Sequence, residues 1–315
     1  MSPPPAPRAD ATIDDLVRAT IARAADQLLR HQPDLGDATD PEPVHQFRVA
    51  TRRLRSDLQT FAPFLDPAAS RARRDELRWL GGEVGRVRDG DVLAARLRIA
   101  ADALPTADAA AAGSLIRLLE HDTAIARREL TGLVTGPRAT ALLTALEADR
   151  DAPPYRSGHE SAARLTPAAD EAAHLVGRPW RRLHRAVHAL PEVPTDAELH
   201  QVRIRAKRAR YAAEALEPAV GRPAHRFARR VADLQDVLGD HQDTVVAEAW
   251  LRNVVAAAAP TDEGAADGPL RLDPTTVLAA GELIGAERAT RAEQREAWPE
   301  AWARVSRPKL RAWFA

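Results

Sequence analysis

Two distant stretches of this chain carry the same polar skeleton. Residues 44–61 read VHQFRVATRRLRSDLQTF and residues 199–216 read LHQVRIRAKRARYAAEAL. At an offset of 155 residues His45 aligns with His200, Gln46 with Gln201 and Arg48 with Arg203, while Arg52, Arg53 and Arg55 align with Lys207, Arg208 and Arg210. Downstream, Leu80, Gly85, Asp89 and Val92 recur at an offset of 154 as Leu234, Gly239, Asp243 and Val246. Two blocks in the same order at nearly constant separation require two related structural units. The period is several times the 20–50 residues typical of solenoid repeats, so paired bundles are expected.

The units read as helical. Leu, Ala and Val dominate a core with only 4% aromatic residues, and Ala and Arg are strong helix formers. No stretch alternates convincingly at period two, so strands are not required. Apolar spacing and Gly/Pro punctuation predict helices near 12–31, 42–65, 67–103, 108–134, 138–150, 167–190, 196–218, 223–259 and 273–298. Gly81, Gly82 and Gly85 weaken the third, residues 151–158 read as a linker, and 260–269 as a surface loop. The expected fold is all-α: two pseudo-symmetric antiparallel helical bundles of the four-helix type. Residues 1–10 form a disordered tail, two repeats span about 11–135 and 136–300 of one domain, and 301–315 form a C-terminal tail.

Helix 42–65 separates its chemistry cleanly. Val44, Phe47, Thr51, Leu54, Leu58, Phe61 and Leu65 fall on one face, and His45, Arg48, Arg52, Arg55 and Gln59 form a stripe beside it. Helix 199–216 repeats the division, with Val202, Ala206, Ala209, Ala213 and Leu216 beside His200, Arg203, Lys207 and Arg210. Arg48 to Arg55 extends roughly 10 Å at 1.5 Å per residue, which suits several anionic groups in succession. Like charges at i,i+4 repel by roughly 0.2–0.5 kcal/mol, and Arg48–Arg52 and Arg203–Lys207 repeat that unfavourable pairing. A polyanion relieves both; a solvated arginine face beside a core is the plainer reading. The two histidines suit either phosphate donation or hydrogen bonding between repeats. Arg71, Arg74 and Arg78, then Arg222, Arg226, Arg229 and Arg230, and finally Arg181, His184, Arg185 and His188 beside a Trp180-Leu183-Val187-Leu190 core stripe, would extend the groove. Asp75, Glu76 and Asp233 are placed to neutralise some of them.

Other chemistries find less support. Net charge is zero, 45 basic against 45 acidic residues, which argues against a uniformly basic nucleic-acid coat yet permits a local field. Of the 45 basic residues 43 are arginine, whose planar fork matches phosphate oxygens; coding bias is an equal explanation for the count. Nucleic acid is the first rival ligand, but no helix-turn-helix signature or aromatic strand platform accompanies the arginines. A metal-assisted phosphohydrolase would need carboxylates such as Asp89 and Asp243 around a divalent ion, and no persuasive metal spacing is present. The glycine-aspartate blocks at 85–92 and 239–246 read as close helix crossings and structural partners of arginine. His184 and His188 lack an HExxH context and read as polar flanks of a core stripe. No metal or cofactor is expected. Without cysteines there is no disulfide or thiolate chemistry; with no signal peptide or membrane-length apolar run, a cytoplasmic protein is the default.

These motifs resemble the CHAD family, the conserved histidine α-helical domain. The likeness rests on His45, Arg48, Arg52, Arg53 and Arg55, on His200, Arg203, Lys207, Arg208 and Arg210, and on the Leu80–Asp89–Val92 and Leu234–Asp243–Val246 blocks. The resemblance covers roughly residues 10–300. It implies two pseudo-symmetric four-helix bundles whose basic central surface binds inorganic polyphosphate non-catalytically, and association with polyphosphate granules. Family members often follow a triphosphate-hydrolysing domain; with so few residues before the first helix, a polyphosphate-metabolising partner is expected to be a separate protein. Lys207 in place of arginine and His241-Gln242 in place of Val87-Arg88 depart from exact repetition, and the latter change makes the two sides of the groove unequal.

Overall fold

Helix boundaries follow local capping chemistry. The computed structural model describes residues 10–258 and 271–315. Helix α1 (Ile13–His31) starts at a capping box in which Thr12 accepts from the Asp15 backbone N–H and the Asp15 carboxylate returns the contact. Helix α9 (Asp196–Val220) starts the same way with Thr195 and Glu198. Between them lie α2 (Glu42–Thr60), α3 (Pro67–Ala101), α4 (Thr106–Val134), α5 (Pro137–Asp151), α6 (Glu160–Leu165), α7 (Ala172–Leu175) and α8 (Gly177–His188). Helices α10 (Arg222–Ala257) and α11 (Pro274–Val305) follow, with a 3-10 turn at Pro308–Leu310. Only Gly221 separates α9 from α10, and its φ of 73° makes glycine the residue suited to that reversal. Among the described residues there are no strands, only isolated bridges at Thr12–Pro167 and Leu65–Tyr155.

The two halves pack their helices in the same order. Helix α1 lies on α2, α2 on α3 and α3 on α4; α8 lies on α9, α9 on α10 and α10 on α11. The halves meet where α2 packs on α9 and α4 on α11. One core draws on both halves, including Phe47, Leu54 and Leu80 from the first and Val202, Phe227 and Leu234 from the second. A smaller core joins the far ends of α3, α4, α10 and α11 through Leu97, Leu115, Leu251 and Leu283. Beside it Arg96 on α3 pairs with buried Glu287 on α11 at 2.8 Å.

Several sequence expectations change. The predicted helix 42–65 stops at Thr60, and Phe61, Phe64 and Leu65 enter the core from a turn. The predicted helix 167–190 is replaced by α7 and α8, because Ile13 N–H donates to Thr166 O and Ala168 N–H to Ala11 O, holding residues 166–168 against the start of α1. The linker at 151–158 is tied to the first half: Asp66 N–H donates to Pro154 O and Arg156 N–H to Phe64 O. Residues 301–315, expected as a tail, supply buried Trp302, Val305 and Phe314. Trp302 stacks on Trp180 at 5.5 Å and Phe314 meets Phe227 edge-on at 5.1 Å, so some of the chain's few aromatic residues are spent here. The loop at 260–269 and nearly all of the N-terminal tail lie outside the described residues.

The glycine triplet does not break α3; Gly81 and Gly82 are accommodated within the continuous helix. Gly90 carries the close crossing with α4. A Cβ there would penetrate Thr123 Oγ1 and approach Thr123 Cγ2 to 3.0 Å. Gly90→Ala is therefore expected to destabilise by about 1–3 kcal/mol despite alanine's helix propensity, with much of the loss recovered in the Gly90→Ala/Thr123→Ala double variant. Urea unfolding of the variants checks this; a fully additive double variant would contradict it.

Candidate anion-binding face

The apolar faces of α2 and α9 fix where their charges go. Val44, Phe47, Thr51, Leu54 and Leu58 are buried, as are Val202, Ala206, Ala209, Ala213 and Leu216. Because α2 packs on α9, the adjoining basic stripes come into one field. Lys207 registers that convergence most clearly. Burial lowers its ammonium to about 7, reinforced by Arg203, Arg52, Arg48 and Arg210, two of which belong to the opposite half. Burial likewise lowers Arg203; Asp243 opposes that, and Arg52 and Arg48 add to it.

The paired glycines lie beside these arginines. A Cβ at Gly85 would lie 3.9 Å from Arg48 Cζ and one at Gly239 would lie 3.7 Å from Arg203 Nε, ordinary contact distances, so each arginine passes over the matching glycine without requiring it. Arg48 pairs with Asp89, and Arg203 lies in the field of Asp243. Burial raises Asp243, which Arg203 and Arg96 oppose. Asp89 thus engages Arg48 directly, whereas Asp243 acts on Arg203 through its field. Among the described residues no group of three or more His, Cys, Asp or Glu side chains is placed to hold a metal ion.

The remaining candidates divide. Arg52 carries a buried Nε without a hydrogen-bond partner, as do Arg203 Nε and His200 Nδ1. Its guanidinium lies 5.8 Å from the Tyr211 ring, beneath which Arg210 approaches to 4.9 Å. Burial lowers His45, and nearby Arg88 adds to this, so its imidazole is held toward the neutral form. Burial lowers Arg55, as do Arg78 and Arg208, which places the latter two beside it. Arg53 and Arg210 are engaged differently: both reach Glu214 at 3.2 Å, from α2 and from within α9. Arg53 also approaches Asp57, whose carboxyl burial pushes up to about 7; Glu214 adds to that rise, and Arg53 and Arg23 oppose it. Arg53 is thus a seam residue more than a surface cation.

The outlying arginines are dispersed. Arg71 is exposed; Arg74 donates to Gln59 and Ser70, and Arg78 pairs with Asp75. Glu76 instead takes Arg138. Arg222, Arg226 and Arg229 are exposed on the first turns of α10, and Arg230 pairs with Asp233. His184 and His188 do not join the basic stripes. Their Nε2 atoms lie 3.1 Å apart and both rings lie against Trp302, because the Trp180 side of α8 faces the C-terminal aromatic residues. Arg181 lies over Gly177, whereas Arg185 lines a cleft with Arg178, Arg182, Arg205 and Arg208. Arg178 and Arg182 on α8 and Arg205 on α9 lie outside the stripes expected from sequence, although the i,i+4 spacing of Arg178 and Arg182 signals a shared face.

The CHAD domain model matches residues 19–252. The chain belongs to the CHAD domain family. Two Mycobacterium tuberculosis proteins, uncharacterized protein MT2285 and uncharacterized protein Rv2226, are each 31% identical to it over 254 residues, 78% of this chain and 46% of theirs. This CHAD chain therefore spans about half the length of those curated relatives. The CHAD domain from the plant Ricinus communis superposes with a TM-score of 0.70 at 26% identity, covering 96% of this chain and 97% of that one. PptA from Streptomyces chartreusis shares the fold, with a TM-score of 0.73 at 24% identity over 93% of this chain and 99% of its own. Among the described residues, no helix of this CHAD protein is long and apolar enough to cross a membrane.

Lys207 makes stability depend on pH. An unfolded lysine titrates near 10.5 and this one near 7, so between those values the unfolded chain binds more protons and stability rises with pH. Lys207→Met is expected to raise Tm by a few degrees at pH 6, with the gain shrinking toward about pH 10. Thermal unfolding across that range checks it; an equal or opposite effect at both ends would contradict it.

Proposed function

We propose that this CHAD protein binds inorganic polyphosphate non-catalytically along the face shared by α2 and α9. The observation that carries this reading is the convergence of Arg48 and Arg52 with Arg203 and Lys207, four cations from two repeats with Asp89 as the direct carboxylate partner of one. Packing brings Arg48 and Arg52 close enough to lower both Lys207 and Arg203 of the other half, a cost that a chain of phosphates offsets by direct neutralisation. Burial of Arg52 Nε, Arg203 Nε and His200 Nδ1 without partners supplies further hydrogen-bonding capacity. Arg55, Arg208 and His45 flank the four, while Arg53 and Arg210 hold the seam through Glu214.

An approximate twofold relation between repeats at about 11–135 and 136–300 is part of this reading. It explains why each half offers an arginine over a glycine beside an aspartate: Arg48, Gly85 and Asp89, then Arg203, Gly239 and Asp243. A polyanion crossing the axis meets the same donors in succession from either direction. Such a module would hold its carrier at polyphosphate granules and beside a separate polyphosphate-metabolising protein.

Arg48→Ala/Arg52→Ala and Arg203→Ala/Lys207→Ala are each expected to weaken long-chain polyphosphate binding about tenfold or more and to flatten its salt dependence. Altering all four should cost far more for long chains than for pyrophosphate, which cannot bridge the stripes and gains no effective concentration from a second contact. Arg117→Ala/Arg128→Ala, exposed on α4, serves as the control. Titrations at fixed ionic strength, with RNA and DNA competitors at matched phosphate, decide the matter. Unchanged affinity in the four-residue variant would eliminate this face, and equal displacement by nucleic acid would make the protein a general polyanion binder.

A further inference from the structure

The cleft lined by Arg178, Arg182, Arg185, Arg205 and Arg208 is chemically unlike the central face. It occupies about 880 Å3 between the end of α2, the turn at 61–63, α7, α8 and the start of α9. Small-molecule sites occupy about 300–1,000 Å3, so it is of a size for one compact ligand. No carboxylate lines it, and none of the five arginines forms an ion pair among the described residues. Arg205 is half-buried and the other four are exposed, whereas the more deeply set Arg73, Arg96, Arg127 and Arg295 each find an acid.

The rest of the lining is apolar and amide-bearing. Pro63, Leu175, Pro179 and Ile204 provide surface that a bare phosphate chain cannot use, and Gln59 and Gln201, whose amide oxygens accept from Arg74 and Arg205, present their amide N–H groups as donors. Guanidinium planes add a third property, since they stack on flat rings as well as gripping phosphate oxygens. The cleft also breaks the equivalence of the halves. On the first side α1, 19 residues long, packs on α9 as well as α2; its 12-residue counterpart α8 leaves this space beside α2.

We propose that this cleft is a separate binding site for a nucleoside polyphosphate, with the phosphates on the arginines of α8 and α9 and the base over Ile204 and Pro63 between the two glutamine amides. The arginines themselves favour an anion there: burial lowers Arg182, and Arg178, Arg208 and Arg185 add to this by repulsion. Arg208 stands at the mouth toward the central face, within the field of both Arg55 and Arg182. The site therefore adjoins the polyphosphate face without using Arg48, Arg52, Arg203 or Lys207.

Calorimetric titration with ATP and with inorganic tripolyphosphate, without magnesium and at equal ionic strength, tests the assignment in the full chain and in its four-residue central-face variant. The two ligands are compared in that variant, where the central face no longer holds phosphate. ATP should bind about tenfold tighter than tripolyphosphate although both carry three phosphates. Arg178→Ala/Arg182→Ala should lower ATP affinity about tenfold or more, and Ile204→Ser should lower it several-fold while leaving tripolyphosphate unchanged. The four-residue variant of the central face should retain ATP binding, so a failure of the polyphosphate reading leaves this result distinct. Tripolyphosphate binding as tightly as ATP, or ATP affinity indifferent to Arg178 and Arg182 in a still-helical variant, would overturn the site.

Discussion

Repulsion between cations on α2 and α9 is the constraint around which the centre of this protein is organised. The apolar faces of both helices must be buried, and burying them brings the neighbouring stripes together. Arg48 and Arg52 then act across the seam on Arg203 and Lys207, lowering both. The fold answers locally: Asp89 takes Arg48, Asp243 lies in the field of Arg203, and Glu214 draws Arg53 and Arg210 into one seam. These contacts hold the helices in place while leaving Arg52 and Lys207 outside any ion pair among the described residues.

The same logic separates arginines that have a carboxylate partner from those that have none. Arg96 with Glu287 and Arg127 with Asp91 bind helix to helix in largely buried settings, each through a single guanidinium nitrogen that donates to both carboxylate oxygens. Removing either partner would leave a buried charge, the costly case for such pairs. Around the α8–α9 cleft no acid is supplied, and the charge is instead tolerated because much of it remains in water. Abundant arginine is thus not one feature but several, distinguished by which side chains have a carboxylate within reach.

Much of this was legible in the sequence because it rests on periodicity. Val44, Phe47, Thr51, Leu54 and Leu58, expected on the apolar face of α2, are all buried, since a 3.6-residue repeat fixes which side chains share a side. Ala50 and Asp57, buried beside them, are not in that expectation. Repetition of the motif then placed α9. What could not be read depends on contacts distant in sequence. The run 167–176 has helical composition but is diverted by backbone hydrogen bonds to Ala11 and Ile13. His184 and His188 share a face with arginine in projection, yet Trp302, more than a hundred residues on, claims that side of α8. Arg53 matched the family motif, while Glu214, which engages it, lies on the other repeat. Helical pattern reveals faces; only the packed chain reveals which charges are already satisfied.

The ammonium of Lys207 reports directly on the central claim, because its protonation responds to the cations around it and to any anion placed among them. Nitrogen-15 NMR of the lysine side chains, in a protein with only one other lysine, Lys309, resolves it. The account predicts titration near 7 in the free protein and a rise of at least one to two pH units with saturating long-chain polyphosphate, about 1.4 kcal/mol for each unit. A Lys207 titration near 10.5 in the free protein, or one that stays near 7 when polyphosphate is bound, would contradict it.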